Sequence, residues 1–190
     1  MILYINGSPR VSKSNSNTFL KDIDAINIKY LYKDSFKVIS KNINNVNTLI
    51  FCFPLYVDGP PYKVIEFMEY IKEYNIDIKN KNIYIIVNCG FLESKHNITA
   101  CKIIKNFCIN CGALYKGCFK IGAGEIIGKR DKRFLFKLIS LSYYFKIRRF
   151  KKCINNKKEV DFSTSIHPMT KRLYIFIVNM SFKNQISKNT

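Results

Sequence analysis

Three stretches of this chain are apolar without a break: ILYI at 2–5, LIFCF at 49–53 and IYIIV at 83–87. A strand with one wet face alternates apolar and polar residues, and these do not, so both of their faces must be covered. Stretches with helical spacing lie between them. Strands joined through helices are parallel, because a crossover returns the chain to the same end of the sheet. This pattern restricts the chain to an α/β architecture before any individual residue is considered.

Read along the chain, the strands are ILYIN (2–6), IKYLY (28–32), VNTLIFCF (46–53), NIYIIVNCG with its loop (82–90) and ALYKGCFKIG (113–122). The spacing predicts helices from Asn15 or Ser16 to about Asp24, over 62–74, over 95–111 and over 131–150, with a weaker one at 34–42. In the 131–150 helix Phe134, Leu138, Leu141 and Phe145 make one apolar stripe, with Lys137, Ser140 and Arg148 on another face. A polar stretch, 154–166, leads to a helical tail at 171–185. The expectation is one doubly wound domain of five parallel strands in the order 2-1-3-4-5, with helices on both faces. Its core would occupy about 1–128 and a C-terminal helical extension about 129–190. A chain of 190 residues is the right length for one such domain.

Composition narrows the function classes. The first residues run straight into a strand pattern and lack the basic, apolar and small-residue regions of a signal peptide. The apolar runs stop short of spanning length, so no integral membrane segment is expected. Seven Cys without an export signal read as reduced, mostly buried thiols of a cytoplasmic protein. Cys101, Cys108, Cys111 and Cys118 have a C-x6-C-x2-C-x6-C spacing, but burial on a helix face explains them better than a metal does, and no metal site is expected. His96 and His167 have no evident ligand partners. The formal charge of +19 is scattered along the chain, which favours a compositional bias or attraction of phosphorylated ligands over a nucleic-acid or lipid surface.

In an open α/β sheet, ligands bind outside the C-terminal ends of the strands, where the order reverses. Three loops fall there. The first, Gly7-Ser8-Pro9-Arg10-Val11-Ser12-Lys13-Ser14-Asn15-Ser16, leads into a helix N-terminus, where free N–H groups favour an anion. It has neither the GxxxxGK[ST] nor the GxGxxG pattern. Read alone, it is equally well a helix cap and a turn. The second, Pro54-Leu55-Tyr56-Val57-Asp58-Gly59-Pro60-Pro61, and the third, Asn88-Cys89-Gly90-Phe91-Leu92-Glu93, offer rigid backbone, small residues and aromatics suited to a flat ring. A phosphate at one end and a planar heterocycle at the other describe flavin mononucleotide, FMN.

These motifs resemble a known family. INGSPRVSKSNS, FPLYVDGPPYKVIEF and NCGFLESKHNITACKIIKNFCINCGALYKGCFKIGAGE are similar to the phosphate loop, second flavin loop and third flavin loop of flavodoxin-fold NAD(P)H-dependent FMN reductases of the Firmicutes type. KRLYIFIVNMSFKNQISKN resembles their C-terminal tail. The resemblance implies a flavodoxin-like three-layer sandwich. It implies that Ser8, Arg10, Ser14, Asn15 and Ser16 hold the FMN phosphate. Pro54, Leu55, Tyr56, Val57, Asp58 and Gly59 would border the isoalloxazine, and Asn88, Cys89, Gly90, Phe91 and Glu93 its other edge. The implied activity carries electrons from NAD(P)H through FMN to a small-molecule acceptor such as a quinone, flavin, nitro or azo compound, in a homodimer. No catalytic side chain is implied, since the chemistry belongs to the cofactor. Asp58-Gly59 departs from the small-polar and Leu pair usual before the Pro. The Cys ligands of iron–sulfur relatives are missing between the second and third strands. An FMN electron carrier or redox sensor is the alternative, although flavodoxins proper are acidic. A basic nucleic-acid- or membrane-binding module is a third reading, against which the retained loops count.

Overall fold

The computed structural model describes residues 1–129 and 140–164, together with Arg172, Ile175, Phe176 and Asn179. Six parallel strands form one sheet in the order β2-β1-β3-β4-β5-β6. They are β1 (Ile2–Asn6), β2 (Ile28–Tyr30), β3 (Thr48–Pro54), β4 (Asn82–Asn88), β5 (Leu114–Ile121) and β6 (Val160–Ser163). The helices are α1 (Asn15–Asp22), α2 (Phe36–Ile43), α3 (Tyr62–Glu73), α4 (Ile98–Asn110), the short α5 (Gly124–Gly128) and α6 (Leu141–Asn155). Strand order and helix placement make the fold flavodoxin-like.

The uninterrupted strands are buried on both faces, as their sequence requires. Leu3, Ile5, Leu49, Phe51, Phe53, Ile83, Ile85 and Val87 point into a core shared with Ile39 of α2, Phe67 and Ile71 of α3, and Ile104 of α4. The alternate residues Tyr4, Ile50, Cys52, Tyr84 and Ile86 face a second core under Phe19 of α1 and Tyr143, Ile147 and Phe150 of α6. One sheet thus separates two helical layers.

Three expectations need correction. The sheet has six strands, not five. The polar stretch 154–166 contains β6, which pairs with β5 from Gly117↔Val160 to Lys120↔Ser163. Gly117, at φ 109°, makes this possible: a Cβ there would lie 1.7 Å from the carbonyl oxygen of Val160. Lys120 Nζ adds an ion pair at 2.5 Å to Asp161 Oδ1. Second, the two described members of the stripe named for the 131–150 helix do not face the core. Leu141 and Phe145 are exposed, whereas Tyr143, Ile147, Phe150 and Ile154 are buried. The helix carries apolar residues on two faces, and the face that meets Phe119 and Phe19 wins. Ser140 is buried as well. Third, α5 follows β5 where no element was expected. The expected start of the long helix at 131–139 and most of the 171–185 tail lie outside the described residues.

Candidate active site at the C-terminal edge of the sheet

The loops after β1, β3 and β4 leave the same edge of the sheet and are tied to one another in a closed triangle. Gly7 N–H donates to the Cys52 carbonyl at 2.9 Å, joining the first loop to β3. Leu55 N–H donates to the Asn88 carbonyl at 2.7 Å, joining the second loop to β4. Asn88 Nδ2 donates to Ser16 Oγ at 3.2 Å, joining the end of β4 to the start of α1, and also to the Phe53 carbonyl at 3.1 Å. All three sequence-predicted loops are therefore brought together.

The first loop is organised by residues at its two ends. Asn6, fully buried, accepts from Ser8 N–H at 2.9 Å and donates to Ser14 Oγ at 3.4 Å. Ser14 caps α1: its hydroxyl accepts from Asn17 N–H at 3.1 Å and donates to the Val11 carbonyl at 2.6 Å. Its side chain is spent on the loop itself. Asn17 donates to the Ser12 carbonyl and accepts from the Tyr30 hydroxyl. This leaves the backbone N–H groups of Asn15 and Ser16, in the first turn of α1, without intrahelical acceptors. Arg10 is exposed beside them and has no carboxylate partner among the described residues. Free amides at a helix N-terminus, with an uncommitted guanidinium in the same loop, are the donor types that an anion takes. Ser8 and Ser16 are buried. Gly7 makes its close approach to α3, where a Cβ would fall 2.4 Å from Val64 Cγ2.

The second loop is a tight hairpin. Tyr56 and Gly59 exchange both backbone hydrogen bonds at 2.9 Å, with Val57 and Asp58 at φ 44° and 58° between them. Both central residues have positive φ, the requirement of a type I′ turn. The turn projects Val57 wholly into solvent and leaves Tyr56 46% exposed. Pro54 and Leu55 are half-buried at its base.

The third loop divides into inside and outside. Asn88 and Cys89 are buried and serve as struts. Cys89 N–H donates to the Ile121 carbonyl at 2.9 Å, and Asn97 Nδ2 donates to Cys89 Sγ at 3.6 Å. Burial pushes the Cys89 thiol up, so it stays protonated at neutral pH. Gly90 and Phe91 are outside. A Cβ on Gly90 would meet nothing within 4 Å, and Phe91 is 57% exposed, its ring tilted at 33° against His96 with centroids 4.4 Å apart. Glu93 is exposed.

Sequence reasoning missed several structural partners of these loops. Asn6 is one, and its signal was a polar residue closing an apolar strand, as Asn88 also does. The segment Gly122–Ala123–Gly124 is another. Ala123 N–H donates to the Phe91 carbonyl at 2.6 Å and Gly124 N–H to the Cys89 carbonyl at 2.8 Å. A Cβ on Gly124 would sit 2.9 Å from Asn88 Oδ1, so this small-residue run lets β5's end brace the third loop. The Cys-rich spacing is explained by packing. Cys101 and Cys108 lie in the core beneath α4, and burial pushes Cys108 up to about 12. A hydrogen bond with Cys101 holds Cys118 below its ordinary value. Among the described residues no three His, Cys, Asp or Glu side chains converge on a metal-sized point. No described helix is long and apolar enough to cross a membrane.

No family model matches the chain, and no curated protein matches it. Solved structures do. An FMN-dependent NADH-azoreductase from Bacillus anthracis, in complex with FMN, superposes with a TM-score of 0.58 at 13% identity over 80% of this chain and 98% of its own. An NADPH-quinone reductase from P. pentosaceus gives 0.58 at 12% identity over 81% of this chain and 96% of its own. The Trp repressor binding protein from Bacillus subtilis gives 0.57 at 19% identity over 64% of this chain and 84% of its own. At these identities the likeness establishes the shared flavodoxin-like fold.

Proposed function

We propose that the protein is an FMN-dependent oxidoreductase that uses NAD(P)H to reduce a small acceptor such as a quinone, flavin, nitro or azo compound. The observation that carries this reading is the closed hydrogen-bond triangle of the three loops. It sets the N-terminus of α1 beside the Tyr56–Gly59 hairpin and the loop that carries the exposed Phe91. The donor set fits the cofactor. The Asn15 and Ser16 amides and the Arg10 guanidinium would hold the phosphate. Ser8 and Ser16 would complete the base of that anion cradle, with Ser14 and Asn15 shaping its rim. Backbone groups of Pro54 to Gly59 and of Gly90 to Phe91 would border the ring. FMN, when bound, would supply the redox chemistry of this reading, hydride and electron transfer. Asn88 and Cys89 act as positioning residues: they fix the loops against each other and keep water out from beneath. Azoreductase and quinone reductase activities of proteins with this fold support the same reading.

The test is the visible spectrum of the protein purified without added flavin, followed by anaerobic addition of NADH or NADPH. A yellow protein that releases FMN on denaturation and is bleached by a nicotinamide with rapid turnover of an added quinone is the expected result. A yellow protein that the nicotinamides leave oxidised contradicts the reductase reading and points to a carrier. A colourless protein that does not take up FMN contradicts the whole reading.

A further inference from the structure

A groove of about 1090 Å³ opens on the far side of the Tyr56–Gly59 hairpin. Its walls come from the ends of β1, β2 and β3 and from α3, and none comes from the 88–93 loop. In a sheet ordered β2-β1-β3-β4 this places it on the β2 side of the hairpin, away from the cleft between the second and third loops.

The lining has a definite chemistry. Tyr32, Tyr56 and Tyr62 contribute three aromatic rings. Tyr32 and Tyr62 meet edge to face, with centroids 5.7 Å apart and planes at 89°. Tyr62 is 64% exposed, which leaves a large aromatic face against water. On α3, Tyr62, Glu66 and Glu69 recur at helical spacing opposite the buried Val64, Phe67, Met68 and Ile71.

Charge decides what such a face selects. Lys63 Nζ lies 2.8 Å from Glu66 Oε2 and 5.3 Å from the Tyr62 centroid, so the one cation in the lining is neutralised at the spot. Glu69, the next turn along, has no cationic partner among the described residues. The groove therefore carries one uncompensated negative charge in a chain whose formal charge is +19. Lys72, at i+3 from Glu69 on α3, makes no ion pair with it, and lysines beyond about 10 Å are screened at ordinary salt, so Glu69 is the unpaired charge in the groove lining itself. Aromatic faces beside a carboxylate attract flat cations and repel flat anions.

We propose that this groove is a binding site for planar aromatic cations, stacked on Tyr62 and Tyr56 with Glu69 as counter-charge. The groove borders the proposed flavin cleft at Pro9 and the Tyr56–Gly59 hairpin, takes no residue from the 88–93 loop, and does not depend on the flavin reading. The same carboxylate disfavours anionic ligands there by a few-fold, the worth of one exposed charge.

The experiment is a fluorescence-polarisation titration of the full chain with proflavine, and with pyrenesulfonate as an anionic control, at 0.15 M salt on the order of physiological ionic strength. Proflavine is expected to bind one site. Glu69→Gln is expected to weaken it roughly fivefold and Tyr62→Ala by a similar factor or more, the range of an exposed charge or cation–π contact. Both side chains are exposed, so neither change disturbs the core. Pyrenesulfonate binding is expected not to weaken in Glu69→Gln, and FMN is expected not to displace proflavine. The proposal is overturned if wild-type protein does not bind proflavine, if neither substitution changes its affinity, or if FMN competes with it stoichiometrically. A shift from dimer to monomer in Tyr62→Ala, seen by sedimentation, would also overturn it, because the groove would then be covered by a second copy of the chain.

Discussion

Val57 holds a β-branched side chain at φ 44° with its whole surface in solvent. Left-handed backbone costs such a residue about 1–2 kcal/mol, and no burial offsets the cost. Turns of this kind ordinarily carry Asn-Gly. Strain of this sort persists where the surrounding structure imposes a shape, and here the shape is the hairpin between the proposed flavin cleft and the tyrosine groove. Replacing Val57 by Gly is expected to stabilise the protein by about 1 kcal/mol, raising the urea midpoint with an unchanged slope. A lowered midpoint would mean that the side chain packs in a way its exposure conceals. The residues also show which part of the site the sequence discloses. Arg10, Tyr56 and Phe91 lie outside, where a motif reading puts them. Ser14, Asn88 and Cys89 have the residue types of ligands but are spent on internal hydrogen bonds. A motif shows that a residue type is present but does not show which partner satisfies it.

At the scale of elements, β1, β3, β4 and β5 were legible because buried strands read as apolar runs. β6 was not. Its sequence is Val-Asp-Phe-Ser, an alternating edge strand inside a polar stretch, and its existence rests on a partner elsewhere in the chain. The deciding residue is Gly117, which sits at a register shift of β5 and lets the Val160 backbone approach. Gly117→Ala is expected to destabilise the protein by about 3 kcal/mol, since a Cβ there collides with main chain at a φ reserved for glycine. Urea denaturation measures this, and hydrogen exchange at 160–163 should lose its protection. Stability within about 0.5 kcal/mol of wild type, with exchange unchanged, would contradict the pairing of β6. The misread face of α6 has the same origin. Leu141 and Phe145 are as apolar as Tyr143 and Ile147, and only Phe119 and Phe19 on the other side of the interface decide which pair is buried.

For the whole molecule, the charge of +19 and the anion cradle act at different ranges. Scattered lysines raise the local concentration of any anion and are screened by salt. The cradle at α1 makes directed hydrogen bonds that salt weakens far less. Under the proposed function this cradle holds the phosphate of FMN, and a comparison of FMN with riboflavin, which has the same ring and no phosphate, tests that assignment. Flavin-fluorescence titrations of cofactor-free protein, at low and at high salt, should give FMN an advantage of roughly 100-fold, the worth of one or two charge-assisted hydrogen bonds. Most of that advantage should survive high salt and be lost in Arg10→Ala, with riboflavin binding unchanged. Equal affinities for the two flavins, or an FMN advantage that disappears in salt and ignores Arg10, would contradict the account.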